Sequence, residues 1–179
     1  MRKPVLDKDF YPMIKALEAF EEKVNAVSPE KRAEIALVAE RNGGYNYVYR
    51  YTAFRDGVDD ELNYRVAERL IKTVLWVVGG YKIYVAGSRR IYERLKDAYT
   101  PEGARAFDAD FMSGVYEKPF EVEWLEAGQV PEQKNCSVKV GGYLKGCRIG
   151  FDAGGSDRKV SAVIDGEVVY SEEVVWHPK

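Results

Sequence analysis

The segment CRIGFDAGGSDRKVSAVIDGEVVYSEEVVW, residues 147–176, decides the fold at one end of the chain. Three apolar runs make up most of it: CRIGFDA, KVSAVID and EVVYSEEVVW. The second and third runs meet at Asp165-Gly166, a pair that is typical of a tight β-hairpin turn. The segment therefore predicts an antiparallel meander of three strands.

Upstream of residue 129 the sequence alternates between helical and strand patterns. The helical patterns cover residues 12–25, 59–78 and a further helix that Ser88 caps. The strand patterns cover residues 34–54, as a hairpin around Asn42-Gly43-Gly44, then 81–87 and 119–128. Residues 101–118 are turn-rich and mixed, and no regular element is predicted there.

A polar, glycine-containing segment, residues 129–146, separates these patterns from the meander and predicts an irregular connection or a domain boundary. We therefore expect an α/β domain over residues 1–145 and the first strands of another domain over residues 146–179. The fold class is α/β (α+β): a small mixed sheet with flanking helices, followed by the three-stranded meander.

The composition is that of an ordinary globular protein, with 46% hydrophobic and 31% charged residues and a formal net charge of -2. This balance gives no reason to expect a nucleic-acid or membrane surface. The N-terminal residues lack an apolar signal core, so we expect a cytoplasmic protein in which Cys136 and Cys147 are free thiols. The single histidine, His177, argues against a histidine-based triad or a histidine-rich metal site.

Three short features are candidate sites that also have ordinary structural explanations. Gly43-Gly44 supplies positive φ for a turn, or lets a ligand approach the backbone. The helix that begins at Ser88 offers an N-terminus to an anion, or is a plain connection. Asp108 and Asp110 hold a metal or perform acid–base chemistry, or are solvated loop acids.

The turn between the first two strands of the meander has the residues that a phosphate loop requires. Gly154 and Gly155 let backbone N–H groups approach phosphate oxygens, because glycine has no Cβ and tolerates unusual φ. Ser156 adds a hydroxyl. Asp152, at the end of the strand, suits Mg²⁺ held through water. A turn with no ligand remains the alternative.

The string IGFDAGGSDRKVSAVIDGEVV resembles the first phosphate motif of the sugar kinase, Hsp70 and actin superfamily of ATPases. The branch it resembles most is the ROK family (repressor, open reading frame, kinase), whose typical members phosphorylate sugars with ATP. The resemblance extends more weakly upstream, to the leading region of large bacterial ROK-like proteins with an extra N-terminal domain. The strings that carry it there are ERNGGYNYVYRY, GGYKIYVAG and GARAFDADFMSGVYEKPFEV.

The resemblance implies roles only within residues 149–166. Asp152 would hold Mg²⁺ through water, while Gly154, Gly155 and Ser156 would face the β- and γ-phosphates of ATP. Arg158 or Lys159 would add positive charge. Catalysis in such enzymes is positioning and electrostatic stabilisation.

Two departures from the family pattern limit what it implies. The family string has lysine directly after Gly-Gly-Thr, whereas this chain has Ser156 and then Asp157. A second phosphate motif, an adenosine-binding segment, a catalytic-base aspartate and the cysteine-rich zinc segment are not found in the sequence. We therefore expect no phosphoryl transfer by these 179 residues alone, and we expect ATP and Mg²⁺ as ligands of the complete protein only.

Three functional hypotheses follow. The first is the N-terminal part of a ROK-type ATP-dependent sugar kinase, with ATP, Mg²⁺ and a sugar as ligands of the complete protein and a homodimer formed through open strand edges. The second is a non-catalytic binding or interaction domain in which Gly154-Gly155 is only a turn. The third is an ATPase that activates a radical-type dehydratase, but such proteins need cluster-ligating cysteines, and no suitable pair is visible.

Overall fold

A computed structural model describes residues 6–7, 10–135 and 141–177, which contain four α-helices and seven β-strands. The helices are α1 (Met13–Ala26), α2 (Asp60–Val77), α3 (Arg89–Ala98) and α4 (Ala106–Tyr116). The strands are β1 (Arg32–Glu40), β2 (Asn46–Phe54), β3 (Lys82–Ala86), β4 (Glu121–Trp124), β5 (Cys147–Ala153), β6 (Asp157–Ile164) and β7 (Glu167–Val175). The mixed α/β fold class is confirmed.

The chain divides into two compact units, Met1–Cys136 and Ser137–Lys179. The first unit contains a four-stranded mixed sheet in the order β2-β1-β3-β4. Its first three strands are antiparallel, and β3 and β4 are parallel. A parallel pair needs a long crossover, which α3 and α4 provide.

The two faces of this sheet differ because side chains alternate along each strand. Ile35, Leu37 and Ala39 of β1 belong to the core, as do Ile83 and Val85 of β3. The helices contribute apolar side chains to the same core: Phe20, Val24, Val66, Leu70, Ile71, Leu75, Ile91, Leu95 and Met112. The predicted helical stripe of residues 59–78 therefore packs on one face of the sheet.

Two polar side chains stabilise the start of α2, and one of them also joins the helix to β2. Asp59 caps the helix by accepting a hydrogen bond from the Leu62 N–H at 3.1 Å. The buried Asn63 accepts from the Phe54 N–H at 3.1 Å and donates to the Phe54 carbonyl at 2.7 Å. The end of β2 is thus satisfied by a side chain at the point where the sheet ladder stops.

The structure corrects the prediction for residues 101–118, because α4 occupies Ala106–Tyr116. Ala109 and Met112, three residues apart, are buried and hold the helix against the core. Gly114 and the weak apolar periodicity made this segment resemble a turn. Tertiary packing therefore outweighs local propensity here.

The second unit contains the antiparallel meander β5-β6-β7 that the sequence predicts. Asp165 and Gly166 both have positive φ, 49° and 92°, as the hairpin turn between β6 and β7 requires. No described residue of 141–177 is buried. Among the helices of the described ranges, none is long and apolar enough to cross a bilayer.

Candidate functional site

The loop between β5 and β6 brings the predicted phosphate-binding residues to one end of the meander. The last pair of the ladder is Ala153 opposite Arg158, and Asp152 lies opposite Lys159 in the same register. Gly154, Gly155 and Ser156 span the turn between the two strands.

Trp176, directly after β7, anchors this loop. Its indole Nε1 donates to the Gly154 carbonyl at 2.8 Å, and its backbone N–H donates to the Ser156 carbonyl at 3.1 Å. Two carbonyls of the loop, those of Gly154 and Ser156, are therefore occupied. In contrast, the backbone N–H groups of residues 154–156 donate no hydrogen bond to any group in the described part of the chain.

The two glycines of the loop differ in the space around them. A Cβ on Gly154 would lie 2.9 Å from an Asp157 carboxylate oxygen and 3.1 Å from the Asp157 carbonyl oxygen, so this position has little room. A Cβ on Gly155 would meet nothing within 4 Å. Neither glycine has positive φ, so the missing Cβ, and not an unusual backbone conformation, is what the pair offers in this structure. What Gly155 offers is open space beside its N–H group.

Lys159 lies among carboxylates. Its Nζ is 3.5 Å from Asp157 Oδ2 and 3.6 Å from Glu173 Oε1, and Asp152 is its neighbour in register on β5. The negative charges of Asp157 and Glu173 raise the pKa of Lys159. Part of the unfavourable charge that Asp157 brings to the loop is thereby offset, but the Lys159 ammonium is shared with two carboxylates.

The helix N-terminus at Ser88 is occupied by a side chain of the same chain. The Ser88 hydroxyl caps α3 by accepting from the Ile91 N–H at 3.1 Å, which confirms the predicted cap. The Asp56 carboxylate accepts from the Ser88 hydroxyl and from the N–H groups of Arg89 and Arg90, at 3.0 and 3.3 Å. A carboxylate thus takes the place at which an external anion was considered.

Asp108 and Asp110 are not a pair of loop acids. They lie two residues apart on α4, and residues at this spacing point to different sides of a helix. Asp108 is buried and accepts from the Trp76 indole at 2.6 Å, with Arg105 Nη1 at 3.6 Å. Asp110 is exposed on the other side. The two carboxylates do not form a shared site.

The other residues that the sequence singled out are two turn glycines, the histidine and the cysteines. Gly43 and Gly44, with φ of 74° and 71°, make the turn between β1 and β2. His177 is exposed, Cys147 is a free exposed thiol, and Cys136 lies outside the described residues. Within the described ranges, no group of three or more His, Cys, Asp or Glu side chains is arranged to hold a metal ion.

Trp176 is the residue of this loop that sequence reasoning missed. Its signal was an aromatic residue directly after the last strand of the meander, where an indole N–H commonly finds an acceptor. No protein-family model and no curated protein matches this chain.

Proposed function

We propose that residues 147–176 form the first phosphate-binding hairpin of an ATPase-type domain and that the chain is the N-terminal part of a ROK-type, ATP-dependent sugar kinase. One observation carries the proposal. Trp176 occupies the carbonyls of Gly154 and Ser156, while the N–H groups of the same loop have no partner in the described chain. A solvent-facing turn whose N–H groups have no partner in the described chain, beside two carbonyls that are already occupied, favours an anion as its ligand.

Each residue of the loop has a role that follows from its chemistry. The N–H groups of Gly154 and Gly155 and the Ser156 hydroxyl donate to β- and γ-phosphate oxygens. Asp152, exposed at the end of β5, holds Mg²⁺ through water. Lys159 adds positive charge when phosphate competes with Asp157 and Glu173 for its ammonium group.

The proposed site needs further parts. The adenosine pocket, the second phosphate loop, the sugar site and the catalytic base belong to the complete cytoplasmic enzyme. Residues 1–179 are then expected to bind polyphosphate weakly and to leave ATP unhydrolysed.

The most direct test is Gly155→Ala, measured as Mg²⁺–ATP binding by isothermal titration calorimetry or by amide chemical shifts. The added methyl group meets no atom of the chain within 4 Å, so the fold is expected to be unchanged. It occupies the space beside the donors, so the affinity is expected to fall at least about tenfold. Gly128→Ala is the matched control, because Gly128 also has open space and lacks positive φ.

Asp152→Asn and Ser156→Ala distinguish the proposed metal contact from the proposed phosphate contacts. Asp152→Asn is expected to weaken binding of Mg²⁺–ATP but not of metal-free polyphosphate, since its role is toward the metal. Ser156→Ala is expected to weaken both. Equal affinity of wild type and Gly155→Ala, with both proteins folded, contradicts the proposal, as does the absence of any saturable binding by wild type.

A second candidate function, a non-catalytic interaction domain, is favoured by the apolar face of the meander. Ile149 and Phe151 lie on one face of β5, opposite Ala162 and Val160 of β6, and are 80% and 68% exposed. Such a face is normally covered by another surface. In this case Gly155→Ala has no effect on any ligand, and the open edges of β5 and β7 pair with another chain, including a second copy.

A further inference from the structure

Three aromatic side chains form an exposed cluster between α2 and α4, which we call the aromatic ridge: Trp76, Phe107 and Phe111. The Trp76 ring stacks on Phe111, with centroids 4.9 Å apart, and on Phe107 at 6.3 Å. They are 46%, 70% and 43% exposed. Roughly 300 Å² of ring surface is therefore in contact with water, given the size of aromatic side chains. Contiguous apolar patches of this size commonly mark binding surfaces.

Polar contacts on the buried side of the aromatic ridge fix the position of the Trp76 ring. The Trp76 indole donates to the buried Asp108 carboxylate at 2.6 Å, and Arg105 and Lys72 pair with the same carboxylate at 3.6 and 3.9 Å. The polar atom of the indole is thus satisfied within the chain, and the ring faces remain available. Aromatic anchors that are already fixed lose little side-chain entropy on binding, so they contribute strongly to interfaces.

A groove of about 500 Å³ runs along the side of α4 that faces away from α2. Its walls include Phe107, Asp110, Ser113, Pro101 and Phe120. Because Phe107 belongs both to the ridge and to the groove, a protruding aromatic group and a cavity lie side by side on one helix.

Gly114 is exposed on α4, on the side of the helix that carries Phe107, and a Cβ there would meet nothing within 4 Å. This position lets the backbone of a second helix approach α4 closely.

The charges beside the ridge are also asymmetric. Arg69 and Lys72, exposed on α2, lie on one side, and Asp110, exposed on α4, lies on the groove side. In a dimer whose two-fold axis crosses the ridge between these charges, Arg69 of one copy faces Asp110 of the other, and the aromatic rings of one copy lie beside the groove of the other. An isologous interface needs this combination of shape and charge on a single patch.

The geometry points to a symmetric homodimer of this chain, in which the α4 helices of two copies pack across the aromatic ridge. A stable dimer buries about 800 Å² on each partner, with an apolar centre and a polar rim. The ridge supplies the apolar centre, and the groove walls with Arg69, Lys72 and Asp110 supply the remainder. This interface involves the first unit and is distinct from pairing through the strand edges of the meander.

The experiment is sedimentation equilibrium of residues 1–179, with Phe107→Asp as the main variant. Wild type is expected to dimerise, and Phe107→Asp is expected to raise the dissociation constant at least about 30-fold, as for a central interface residue. Ile14→Asp is the matched control, because Ile14 is a comparably exposed apolar residue on α1 and is expected to leave the dimer unchanged. Circular dichroism checks that each variant is folded.

A charge reversal keeps the test independent of the aromatic residues. Asp110→Lys and Arg69→Glu are each expected to weaken the dimer, and the double variant is expected to regain part of the lost affinity, since the two charges meet across the axis. A wild-type chain that stays monomeric up to about 100 µM overturns the inference. A dimer that folded Phe107→Asp leaves intact overturns it too, and indicates association through another surface.

Discussion

The two sheets of this protein are built from similar strands but differ in what surrounds them. Every buried residue of the described chain lies between Phe20 and Val122, in the first unit, where α1–α4 pack against the mixed sheet. In residues 141–177 the strands pair along their whole length, with β5 and β7 as edges, yet none of the described residues is buried. Hydrogen-bonded ladders define strands in both units, but only the first has apolar burial to stabilise it. A three-stranded sheet without such burial depends on a further surface for its stability.

The largest expected effect tests this difference directly. Ile71→Ala, at a side chain that is 1% exposed, is expected to lower the free energy of unfolding by about 3 kcal/mol, because it leaves a cavity in the core. Ile149→Ala, on the meander, is expected to change it by less than about 0.5 kcal/mol. Urea denaturation monitored by tryptophan fluorescence measures both. A large effect of Ile149→Ala contradicts the comparison and indicates that the apolar face of the meander is covered.

Asn63→Ala examines the junction between α2 and β2. The substitution leaves the N–H and carbonyl of buried Phe54 without partners, so a loss of about 2 kcal/mol in unfolding free energy is expected. Thr73→Ala, an exposed change on the same helix, is the control and is expected to have little effect. The same denaturation experiment serves. If Asn63→Ala proves as stable as Thr73→Ala, the prediction is wrong, and water replaces the Asn63 hydrogen bonds without loss of unfolding free energy.

Asp56→Ala removes the carboxylate that accepts from the N-terminal turn of α3. Three donors lose their acceptor, and the helix dipole loses a favourable charge. The free energy of unfolding is therefore expected to fall by about 1 kcal/mol. Asp97→Asn, near the other end of α3 and exposed, is the control. The thermal unfolding midpoint is the readout, with added sulfate in a second series. If sulfate raises the unfolding midpoint of Asp56→Ala but not that of Asp97→Asn, the N-terminus of α3 binds an anion once the Asp56 carboxylate is removed.

The smallest expected effect is a pH dependence at Glu40. Burial works to raise the pKa of Glu40, but hydrogen bonds from the hydroxyls of Tyr81 and Tyr84, at 2.6 and 2.7 Å, outweigh it and lower the pKa. A carboxyl group with a lowered pKa in the folded state contributes stability above its unfolded pKa of about 4.3, and this contribution is lost as the pH falls through the folded pKa.

Glu40→Gln is therefore expected to be less stable than wild type at pH 7 by under about 1 kcal/mol, because the group is partly exposed, and the gap should close below about pH 4. Urea denaturation between pH 3 and pH 7 gives this difference. Glu93→Gln, an exposed carboxylate on α3, is the control. A gap that is constant over the whole pH range assigns the effect of Glu40→Gln to packing instead.

Sequence patterns were sufficient where neighbours along the chain decide the structure. The amphipathic spacing of α2, the Ser88 cap and the Asp165-Gly166 turn are local, and each was predicted from the sequence. The candidate loop was also found in this way, since its residues are consecutive. Its binding role stays a prediction, as do the domain boundary after residue 145 and the ROK resemblance.

Only the tertiary structure decided which polar groups meet and which are left without a partner. The Asp56 carboxylate accepts hydrogen bonds at the start of α3, and the Asp108 carboxylate accepts from Trp76 instead of pairing with Asp110. Trp176 donates to carbonyls of the loop after β5. These partners are separated by some 20 to more than 30 positions, and side-chain contacts at such distances leave no periodic signal in the sequence. The sequence by itself determined the strands and helices, because backbone hydrogen bonding and apolar spacing are local. Packing determined the exposed aromatic ridge, because burial depends on the whole chain. The hydrogen bonds of Trp176 determined which groups of the loop lack a partner among the described residues.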